Sequence, residues 1–574
     1  MKLTPSLQNP QKKKPKITLP ENLDKSYSPK ELAALWKEAQ ELCDKNKLED
    51  ALELLTPICT KIKDSEYTSF LNLAGLIALN LNKIETGFSW LLKSYKLDPD
   101  QVEVNYNLSI IYENKKDYKL AVDHLSKALE LDPRNINCLF NRANIYETLE
   151  LYEDGLADIA ELIKLEQTAD VYNLYGLIQN GCKNYNQAIN LFKHALNLDK
   201  NNIEFMNNLA ISHKDNGELN QAKDILLNAM KINPEVALTY NNLGLVYEEN
   251  NQLQKAIENY KKSHHLQENY ANSYNLGIAQ LKVHDYKNGW KNYESRWEIN
   301  SFRKKMIKTD KPYWDGSECK SILVWGEQGI GDEIIYSSML NDLKKYCENI
   351  YYGCLSTKTI SLFKNSFKNI KVFAMDEISN DDFFDYHIPV ASLGQFFRLD
   401  FGTFEKYEKY LFADQNLKNK LKEKFNKPLI GISWRSNASI SKNIDLKEFK
   451  KLIHPNYQMI NLQYQLTAKE KKELNTLGIK YLDLELFDDI DSTAALVDCC
   501  EFVVTASNVN AHLAGALNKK TFLLSASGVR QFHYWMSPTS NSLWYPSVQI
   551  INQQNNGDWA KDFELIYKQI YNEY

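Results

Sequence analysis

Two patterns of apolar and polar residues follow one another along the chain. From about residue 32 to residue 302, apolar residues recur at helical spacing, and the arrangement itself repeats. After Lys320, apolar runs of strand length alternate with helical patterns. The first region is therefore predicted to be an array of helix pairs, and the second an α/β module with parallel strands covered by helices.

The helical region repeats with a period of about 34 residues. Ala188, Ala222 and Ala256 follow one another at this interval, as do Leu209 and Leu243. About eight units are predicted, near 31–64, 66–100, 101–134, 135–167, 168–201, 202–235, 236–269 and 270–303. The period resembles that of the tetratricopeptide repeat (TPR), which implies a superhelix whose concave face binds an extended peptide or a partner protein.

Six asparagines fall on the predicted first helices of these units. They are Asn141, Asn173, Asn207, Asn208, Asn241 and Asn242. One interpretation is that they hydrogen-bond the backbone of a bound peptide. The other is that asparagine is simply frequent in this chain, and the sequence leaves both open.

Ten apolar segments after Lys320 are predicted to be strands. They are 322–325, 350–354, 370–374, 386–390, 429–434, 459–463, 481–484, 502–505, 521–524 and 548–551. Their alternation with helices predicts parallel sheets with helices on both faces. A charged helical segment at 414–427, followed by Pro428, predicts the boundary between two half-domains. A cleft between two such halves is the usual place for a ligand.

The stretch 321–340, SILVWGEQGIGDEIIYSSML, reads as strand, glycine turn and helix. Gly326, Gly329 and Gly331 allow a tight turn and close approach of the backbone to a ligand. The following helix offers unpaired N–H groups and a positive dipole end to an anion. The spacing matches neither the dinucleotide-binding fingerprint nor the P-loop, so a tight turn without a ligand is the alternative.

Composition narrows the class of protein. The chain has 574 residues, a net charge of -5 and 43% hydrophobic residues, which predicts several globular domains and does not favour nucleic acid or an anionic membrane as partner. No apolar run approaches the length of about 18 residues that a membrane span needs. Residues 1–30 are predicted to be a disordered leader.

Cysteine and histidine are arranged irregularly. The nine cysteines contain no C-x-x-C pair, and no H-E-x-x-H motif occurs. Neither a disulfide framework nor a metal site is predicted, and a reducing, cytoplasmic setting fits this pattern.

Several segments together resemble a known module. They are EQGIGDEI after WDG, GISWRSN, DSTAALVDCCEFVVTASNVNAHLAGALNKKTFLL and LWYPSVQIINQQNNGDW. They look like the C-terminal domain of bacterial proteins that join TPRs to a glycosyltransferase-9-like domain, which is similar to heptosyltransferases of the GT-B fold. More remotely, the architecture resembles the repeat-bearing O-linked N-acetylglucosamine transferases.

The resemblance implies that a sugar is transferred from a nucleotide-sugar without a bound metal or other cofactor. It implies that Asp332 is the general base that takes the proton of the acceptor hydroxyl. The alternative role for Asp332 is to cap the helix that follows. The implied donor and phosphate-binding residues are Gly329, Gly331, Ser433, Arg435, Lys442, Gln463, Tyr464, Ser507, Asn508, Val509, Asn510 and His512.

Alternatives remain for some of these residues. For Arg435 and Lys442 the alternative is an ordinary surface cation, and for His512 it is a core histidine bonded to backbone. The family often has Asp-Thr where this chain has Ser507 and Asn508, which removes a hydrogen-bond acceptor for the donor.

The predicted organisation is a disordered leader at 1–30, a TPR array at 31–305, a linker at 306–319 and two Rossmann-like halves of a GT-B module. The halves are predicted at 320–427 and at 428–574, the second being the nucleotide-sugar side with a closing C-terminal helix. The predicted function is glycosyl transfer to a protein or glycan that the array recruits. The alternative is a catalytically inactive module in a TPR interaction scaffold.

Overall fold

The computed structural model describes residues 27–378, 381–404, 409–436, 443–526, 531–554 and 558–571. The chain divides into two compact units, Met1–Ile225 and Leu226–Tyr574, with the division inside one helix of the array. Most of the predicted leader and Lys442 lie outside the described residues. Among the described residues, no helix is both long and apolar enough to cross a bilayer.

Helix pairs make up the chain from residue 29 to residue 293. The first unit contains α1 (Pro29–Asp44), α2 (Leu48–Lys61), α3 (Thr68–Asn80), α4 (Ile84–Leu97), α5 (Val102–Asn114), α6 (Tyr118–Leu131), α7 (Ile136–Thr148), α8 (Tyr152–Leu165), α9 (Ala169–Gly181), α10 (Tyr185–Leu198) and α11 (Ile203–Asp215). Helix α12 (Leu219–Ile232) contains the division between the units. The second unit continues with α13 (Ala237–Glu249), α14 (Leu253–Leu266), α15 (Tyr270–Lys282) and α16 (Tyr286–Tyr293).

The turn inside each pair contains one residue in the left-handed region of backbone conformation. These residues are Asn46, Asn82, Lys116, Glu150, Lys183, Gly217, Asn251 and His284. A left-handed residue closes the first helix and redirects the chain into the second. Glycine fills this position once among the described pairs, so the turns carry little of the usual glycine signal.

Close approach of the paired helices explains the recurring small residues. A Cβ placed on Gly176 would lie 2.6 Å from Cε1 of Phe192, and a Cβ on Gly244 would lie 2.5 Å from Cε1 of Tyr260. Both aromatic rings belong to the second helix of the same pair and are fully buried. The small residue of the first helix therefore makes room for the large residue of the second.

Asparagines of successive pairs bond to one another. The Nδ2 atom of Asn208 donates to Oδ1 of Asn173 at 2.9 Å within the first unit, and Nδ2 of Asn275 donates to Oδ1 of Asn241 at 3.2 Å within the second. These amides thus spend part of their hydrogen-bonding capacity on contacts between repeats.

The first α/β half follows a short helix, α17 (Asn300–Arg303). Its four-stranded parallel sheet has the order β3-β2-β1-β4. The strands are β1 (Cys319–Trp325), β2 (Cys347–Cys354), β3 (Ile370–Ala374) and β4 (Tyr386–Pro389), and the helices are α18 (Ile330–Ser337), α19 (Leu340–Leu343), α20 (Ile360–Ser366) and α21 (Gly394–Phe397).

The second half contains a five-stranded parallel sheet with the order β6-β5-β7-β8-β9. Its strands are β5 (Leu429–Ser433), β6 (Gln458–Asn461), β7 (Cys500–Ala506), β8 (Lys520–Ser525) and β9 (Val548–Asn552). Its helices are α22 (Gln415–Lys422), α23 (Ala468–Leu477), α24 (Ile490–Cys499), α25 (Val509–Ala516) and α26 (Ala560–Tyr571). The predicted parallel sheets are thus present.

The strand predicted at 481–484 does not form. Lys480 makes a single bridge to Ile460, and the chain then leaves the sheet. Leu482 and Leu484 pack on the core from this irregular segment. The alternating apolar residues of this segment therefore pack on the core and do not pair as a strand.

The cysteine pattern also misled in one place. Cys319 and Cys347 occupy paired positions on β1 and β2 and form a disulfide. The expectation of no disulfide is wrong for this pair, because its pairing depends on the register of two strands and not on the spacing of cysteines along the chain.

The last helix pair belongs to the core of the α/β module. Trp290 and Tyr293 are buried in the same apolar cluster as the helices of the first sheet. The indole Nε1 of Trp290 donates to the carbonyl of Arg398 at 2.9 Å, and a Cβ on Gly394 would lie 2.5 Å from the Trp290 ring. The end of the array and the first sheet therefore share one folded core.

Candidate functional site

Each sheet reverses its strand order beside its first strand. The reversal lies between β1 and β4 in the first sheet and between β5 and β7 in the second. Loops that leave the carboxyl ends of strands at such a point form the crevice where open α/β sheets bind ligands. The glycine loop follows β1, and residues 507–508 follow β7, so both predicted motifs lie at these points.

The helices that follow these two loops pack against each other. A Cβ on Gly331, in the first turn of α18, would lie 3.0 Å from Cδ2 and 3.2 Å from Nε2 of His512 on α25. Gly326 is needed for another close approach, because a Cβ there would overlap Oε1 of Glu333 at 1.9 Å. The fold thus brings together Gly331 and His512, which are 181 positions apart in the sequence.

Asp332 lies in the first turn of α18 and is half-buried. Burial raises the pKa of Asp332 to about 7, and the nearby carboxylate of Glu327 raises it in the same direction. Hydrogen bonds from the backbone of Gly329 and of Asp332 itself oppose this pKa shift. A carboxylate with a pKa near neutrality is suited to take and release a proton at physiological pH.

The neighbouring Glu333 makes contacts that hold the fold together. It is fully buried, and its Oε1 accepts the N–H of Leu355, the residue after β2, at 2.7 Å. Burial also raises the pKa of Glu333 to about 7. Its contacts tie α18 to the loop that follows β2, whereas Asp332 remains partly accessible.

The crevice of the first sheet is filled by side chains from the end of the array. Arg296 and Glu327 are buried there as an ion pair, with Nη2 of the arginine 2.8 Å from Oε1 of the glutamate. Glu294 lies 2.7 Å from the same guanidinium. Two carboxylates therefore surround one cation, and this crevice is unfavourable for an anionic ligand.

At the second sheet, Asn508 joins the ends of β5 and β7. Its Oδ1 caps α25 by accepting the N–H of Asn510 at 3.0 Å, and its Nδ2 donates to Oγ of Ser433 and to the carbonyl of Arg435, both at 3.0 Å. Ser433 is buried and lies 2.6 Å from Oγ1 of Thr505. Asn508 thus fixes the geometry of the predicted donor loop, and an aspartate would lack the donating amide.

Gln463 lies beside this loop and is 1% exposed. Its Oε1 accepts the backbone N–H of Trp434 at 3.2 Å and of Arg435 at 3.0 Å. Its Nε2 is buried and has no hydrogen-bond partner among the described residues. The amide of Asn510, also buried, donates to the carbonyl of Leu462 at 2.9 Å.

The guanidinium of Arg435 is occupied by internal contacts. Its Nε lies 2.9 Å from Oε1 of Glu470, and Nη2 donates to the carbonyls of Tyr464 at 2.9 Å and Gln465 at 2.6 Å. Tyr464 itself is buried against Phe487, with ring centroids 5.3 Å apart. These contacts hold the loops that follow β5 and β6 together.

His512 is buried among aromatic side chains. Its Nδ1 lies 3.0 Å from the hydroxyl of Tyr545, and its ring centroid lies 4.9 Å from that of Trp535. The indole Nε1 of Trp535 donates to Oγ of Ser507 at 3.0 Å. Val509 begins α25 between these groups, so the predicted residues 507–512 form one packed cluster.

A cavity of about 400 Å³ lies at the carboxyl ends of β8 and β9. Repeat residues such as Glu248 and Lys282 line one side, and Ser525, Trp535 and Asn552 line another. Glu248 and Lys282 form a buried ion pair at 2.8 Å. Asp332 and His512 do not line this cavity, although Trp535 touches both the cavity and His512.

Family models match the repeat region. Models described as tetratricopeptide repeats match residues 102–135, 181–241 and 225–258. The chain contains tetratricopeptide repeats. The matched residues cover α5, α6 and the helices from α10 into α14, all of which lie before the α/β module.

The TPR chain is also similar to one curated protein, "Protein FlbA" of Caulobacter vibrioides. The two are 25% identical over 301 residues, which cover 47% of this chain and 50% of that protein. The TPR chain therefore matches about half the length of this curated relative.

Solved structures similar to parts of this chain include two described as tetratricopeptide repeat or TPR proteins and one of MamA. A tetratricopeptide repeat protein from Parabacteroides merdae is 15% identical, with a TM-score of 0.37, over 43% of this chain and 98% of that one. MamA from Desulfovibrio magneticus is 19% identical, with a TM-score of 0.28, over 29% and 94%. YrrB, described as a TPR protein with an unusual peptide-binding site, is 18% identical, with a TM-score of 0.26, over 32% and 94%.

Several residues of the site were not found from the sequence. Arg296 and Glu327 were missed because their pairing joins the end of the TPR array to the glycine loop. His533 was also missed; its Nε2 lies 3.0 Å from the hydroxyl of Tyr336, and burial lowers the pKa of His533 to about 3. The aromatic residues at 534–535 beside it were the available signal, since aromatic clusters often line ligand sites.

Proposed function

We propose that this TPR chain is a glycosyltransferase that moves a sugar from a nucleotide-sugar to a protein or glycan recruited by the repeats. The observation that carries the proposal is Asp332, a half-buried carboxylate at the carboxyl edge of the first sheet with its pKa raised to about 7. The attacking hydroxyl must lose a proton, and a base with this pKa accepts one efficiently near neutral pH.

The donor is proposed to bind on the second half. The first crevice is occupied by the Arg296–Glu327 pair and carries excess negative charge, which disfavours a diphosphate. At the second crevice, the N-terminus of α25 supplies a positive dipole end, although the N–H of Asn510 is capped by Asn508. The unpartnered amide of Gln463 there supports a ligand that offers a hydrogen-bond acceptor, such as a nucleobase carbonyl.

The proposal places these two groups of residues around one substrate pair. The contact between Gly331 and His512 puts the first turn of α18, with Asp332, next to α25. Neither a metal nor another cofactor is part of the proposal. An acceptor peptide on the repeats is proposed because TPRs present a concave face suited to extended peptides.

A second candidate function is a binding scaffold without turnover. It is favoured by the internal use of the predicted donor-binding groups: the guanidinium of Arg435 contacts Glu470, and the amide of Asn508 bonds Ser433 and Arg435. Both sets of contacts hold loops together without a ligand.

Titration with nucleotides separates these functions. The purified full chain is incubated with a panel of nucleotide-sugars, and donor hydrolysis, nucleoside diphosphate binding and thermal stabilisation are measured. Hydrolysis of one donor, together with binding of its nucleoside diphosphate, supports the transferase. Binding without hydrolysis, in the presence of peptides or glycans as acceptors, favours the scaffold, and absence of both is evidence against the donor site.

A further inference from the structure

One arginine that follows the last helix pair of the array contacts the glycine loop after β1. Arg296 follows α16 and is fully buried. Its Nε lies 2.9 Å from Oε2 of Glu327, and its Nη2 lies 2.8 Å from Oε1. Glu327 is also buried, and its Oε1 accepts the N–H of Ala391, in the loop after β4, at 3.2 Å. One two-pronged ion pair therefore joins the end of the array to both loops at the reversal point of the first sheet.

The guanidinium is fixed from its other sides as well. Nη1 donates to Oε1 of Glu294 at 2.7 Å and to the carbonyl of Tyr293 at 3.1 Å, and Nη2 donates to Oγ of Ser392 at 2.7 Å. The rings of Tyr293 and Trp297 lie 4.2 and 4.6 Å from its central carbon. A buried ion pair is seldom more stabilising than apolar residues of the same size, because both charges lose their hydration. The Arg296–Glu327 pair is therefore better explained by the orientation that it imposes on the two loops at the reversal point than by a gain in stability.

The loop between Glu327 and Asp332 contains a residue in an uncommon backbone conformation, and the repeat segment bonds to it. Gln328 adopts a φ of +64°, which is uncommon for a residue with a side chain. Its Nε2 donates to the hydroxyl of Tyr293, so the same repeat segment holds two successive loop residues. Asp332 lies four residues later, in the first turn of α18, where its position depends on the path of this loop.

We propose that Arg296 is a positioning residue for sugar transfer: its ion pair with Glu327 holds the glycine loop in the conformation that presents Asp332 to the acceptor. This inference rests on the proposed transferase function. It makes the last TPR part of the reaction site, in addition to any role of the array in recruiting the acceptor.

Electrostatics give the proposal a measurable signature. The ionisable groups that face Asp332 are Glu327, Glu333, Tyr293, Tyr336, Tyr534 and Tyr545. Burial raises the pKa of each of these four tyrosines, so they are uncharged at neutral pH. His512 adjoins Gly331, and burial lowers the pKa of His533, which bonds Tyr336, to about 3. Arg296 pairs with both Glu294 and Glu327, and of these two carboxylates Glu327 is the one that raises the pKa of Asp332.

The test compares four variants of the full chain. Arg296→Met removes the cation, Glu327→Gln removes the carboxylate charge, and a double variant removes both. Arg142→Met is the matched control, because Arg142 forms a similar fork with Asp158 inside the array, at 2.8 and 2.6 Å. Hydrogen exchange of residues 326–333 and 390–393, nucleotide affinity and the pH dependence of transfer are measured for each.

Arg296→Met is expected to speed exchange in both loops about 100-fold or more, since it leaves a buried carboxylate without its partner. Turnover is expected to fall about 10- to 100-fold, because the base is misplaced, while the dissociation constant of the nucleotide changes less than about twofold. The pH at which transfer is half-maximal should rise in Arg296→Met, fall in Glu327→Gln, and return toward the Glu327→Gln value in the double variant. Arg142→Met should change none of these quantities.

Arg296→Lys provides a second test in case Arg296→Met does not fold. It keeps the charge but loses the fork, so loop exchange should still increase while the pH of half-maximal transfer stays near that of the wild type. Unchanged loop exchange and an unchanged pH profile in Arg296→Lys and Arg296→Met, with the wild type active, would overturn this inference alone. A wild-type chain that neither binds a nucleotide nor transfers a sugar would overturn the proposed function and this inference together.

Discussion

Asp332 and Glu333 are adjacent on α18, and the pKa of each is raised to about 7, yet their surroundings differ. Glu333 is fully buried and bonds the N–H of Leu355. Asp332 is half-buried and adjoins the contact between Gly331 and His512. At the scale of residues, exposure rather than pKa distinguishes a group that can meet a substrate from one that holds a loop.

Asp332→Asn tests the role of the base. Asp332 is the third residue of α18, whose N-cap is Gly329, and the side-chain oxygen of an asparagine there can still accept the backbone N–H groups that Asp332 accepts, so the fold and the nucleotide affinity should be retained. It cannot accept the acceptor proton, and kcat should fall about 10²–10⁴-fold. Steady-state kinetics together with calorimetric titration of a nucleoside diphosphate measure both quantities.

The wild type should also show a pH dependence set by this carboxylate. Because a base acts in its deprotonated form, kcat/KM should rise with pH and level off above about 7, the pKa of Asp332. This rise should be absent from the residual activity of Asp332→Asn. A variant with wild-type kcat and an unchanged pH profile would leave Asp332 only a structural role in the first turn of α18, whose N-cap is Gly329 and not Asp332.

Gln463→Glu tests the donor side with little change in shape. The new carboxylate can still accept the N–H groups of Trp434 and Arg435, which the Gln463 Oε1 accepts now. It cannot donate as Nε2 does, and its charge opposes an anionic ligand. Nucleotide affinity is expected to fall about tenfold or more, since a lost hydrogen bond and an unfavourable charge each cost about 1 kcal/mol or more.

The matched control for this variant is Gln531→Glu, at the cavity beyond β8, where the Gln531 amide bonds Asn552 at 3.2 Å. It should leave nucleotide affinity unchanged. Equal affinity of the Gln463→Glu variant and the wild type would remove Gln463 from the donor site.

At the scale of elements, helix pairs and βα units obey different constraints. Each TPR pair depends on a small residue opposite a large one and on a left-handed residue in its turn. Each βα unit depends on a buried strand and on a loop at its carboxyl end. The first set of constraints fixes packing, and the second leaves backbone N–H groups and loop side chains available for chemistry.

Two glycine variants separate the packing constraint from the turn constraint. Gly217 has a φ of +80° and no atom within 4 Å of an added Cβ, so Gly217→Ala should cost only backbone strain, about 1 kcal/mol. Gly176→Ala pushes a methyl group into Phe192, and overpacking of this kind costs about 1–3 kcal/mol.

The midpoint of thermal unfolding, followed by circular dichroism, should therefore fall more for Gly176→Ala than for Gly217→Ala. Lys183→Gly, at the left-handed position of the preceding pair, serves as the control and should not lower the midpoint, because it relieves the strain of a φ of 64°. The reverse order of the two alanine variants would contradict this account of the repeats.

At the scale of the whole molecule, the sequence boundary between repeats and α/β module is not a boundary between cores. Trp290, Tyr293 and Arg296 are buried together with the first sheet. The second compact unit begins at Leu226, inside the array. The last TPRs are therefore part of the folding unit that contains both sheets.

Two fragments test this organisation. A fragment that begins at Glu235 keeps α13 to α16 and should be soluble and cooperatively folded. A fragment that begins at Met306 loses Trp290, Tyr293 and Arg296, and leaves Glu327 without its counter-charge. It should aggregate or lack near-ultraviolet circular dichroism, since it exposes apolar surface and leaves a buried carboxylate without its partner. A soluble, cooperatively unfolding second fragment would show that the repeats are dispensable for the module.

The sequence by itself determined the repeat architecture and most of the strands. A period of about 34 residues and runs of buried apolar residues are local patterns, which can be recognised in the sequence without knowledge of the fold. It also located Asp332 and residues 507–512 at strand-to-helix turns. The strand at 481–484 was predicted wrongly because Leu482 and Leu484 contact the core without pairing.

Tertiary structure alone decided which residues meet. The contact of Gly331 with His512, the disulfide between Cys319 and Cys347 and the ion pair of Arg296 with Glu327 join residues 181, 28 and 31 positions apart. The raised pKa of Asp332 follows from burial and from the nearby Glu327. Burial, strand register and charge pairing are properties of the folded arrangement, so no spacing along the chain encodes them.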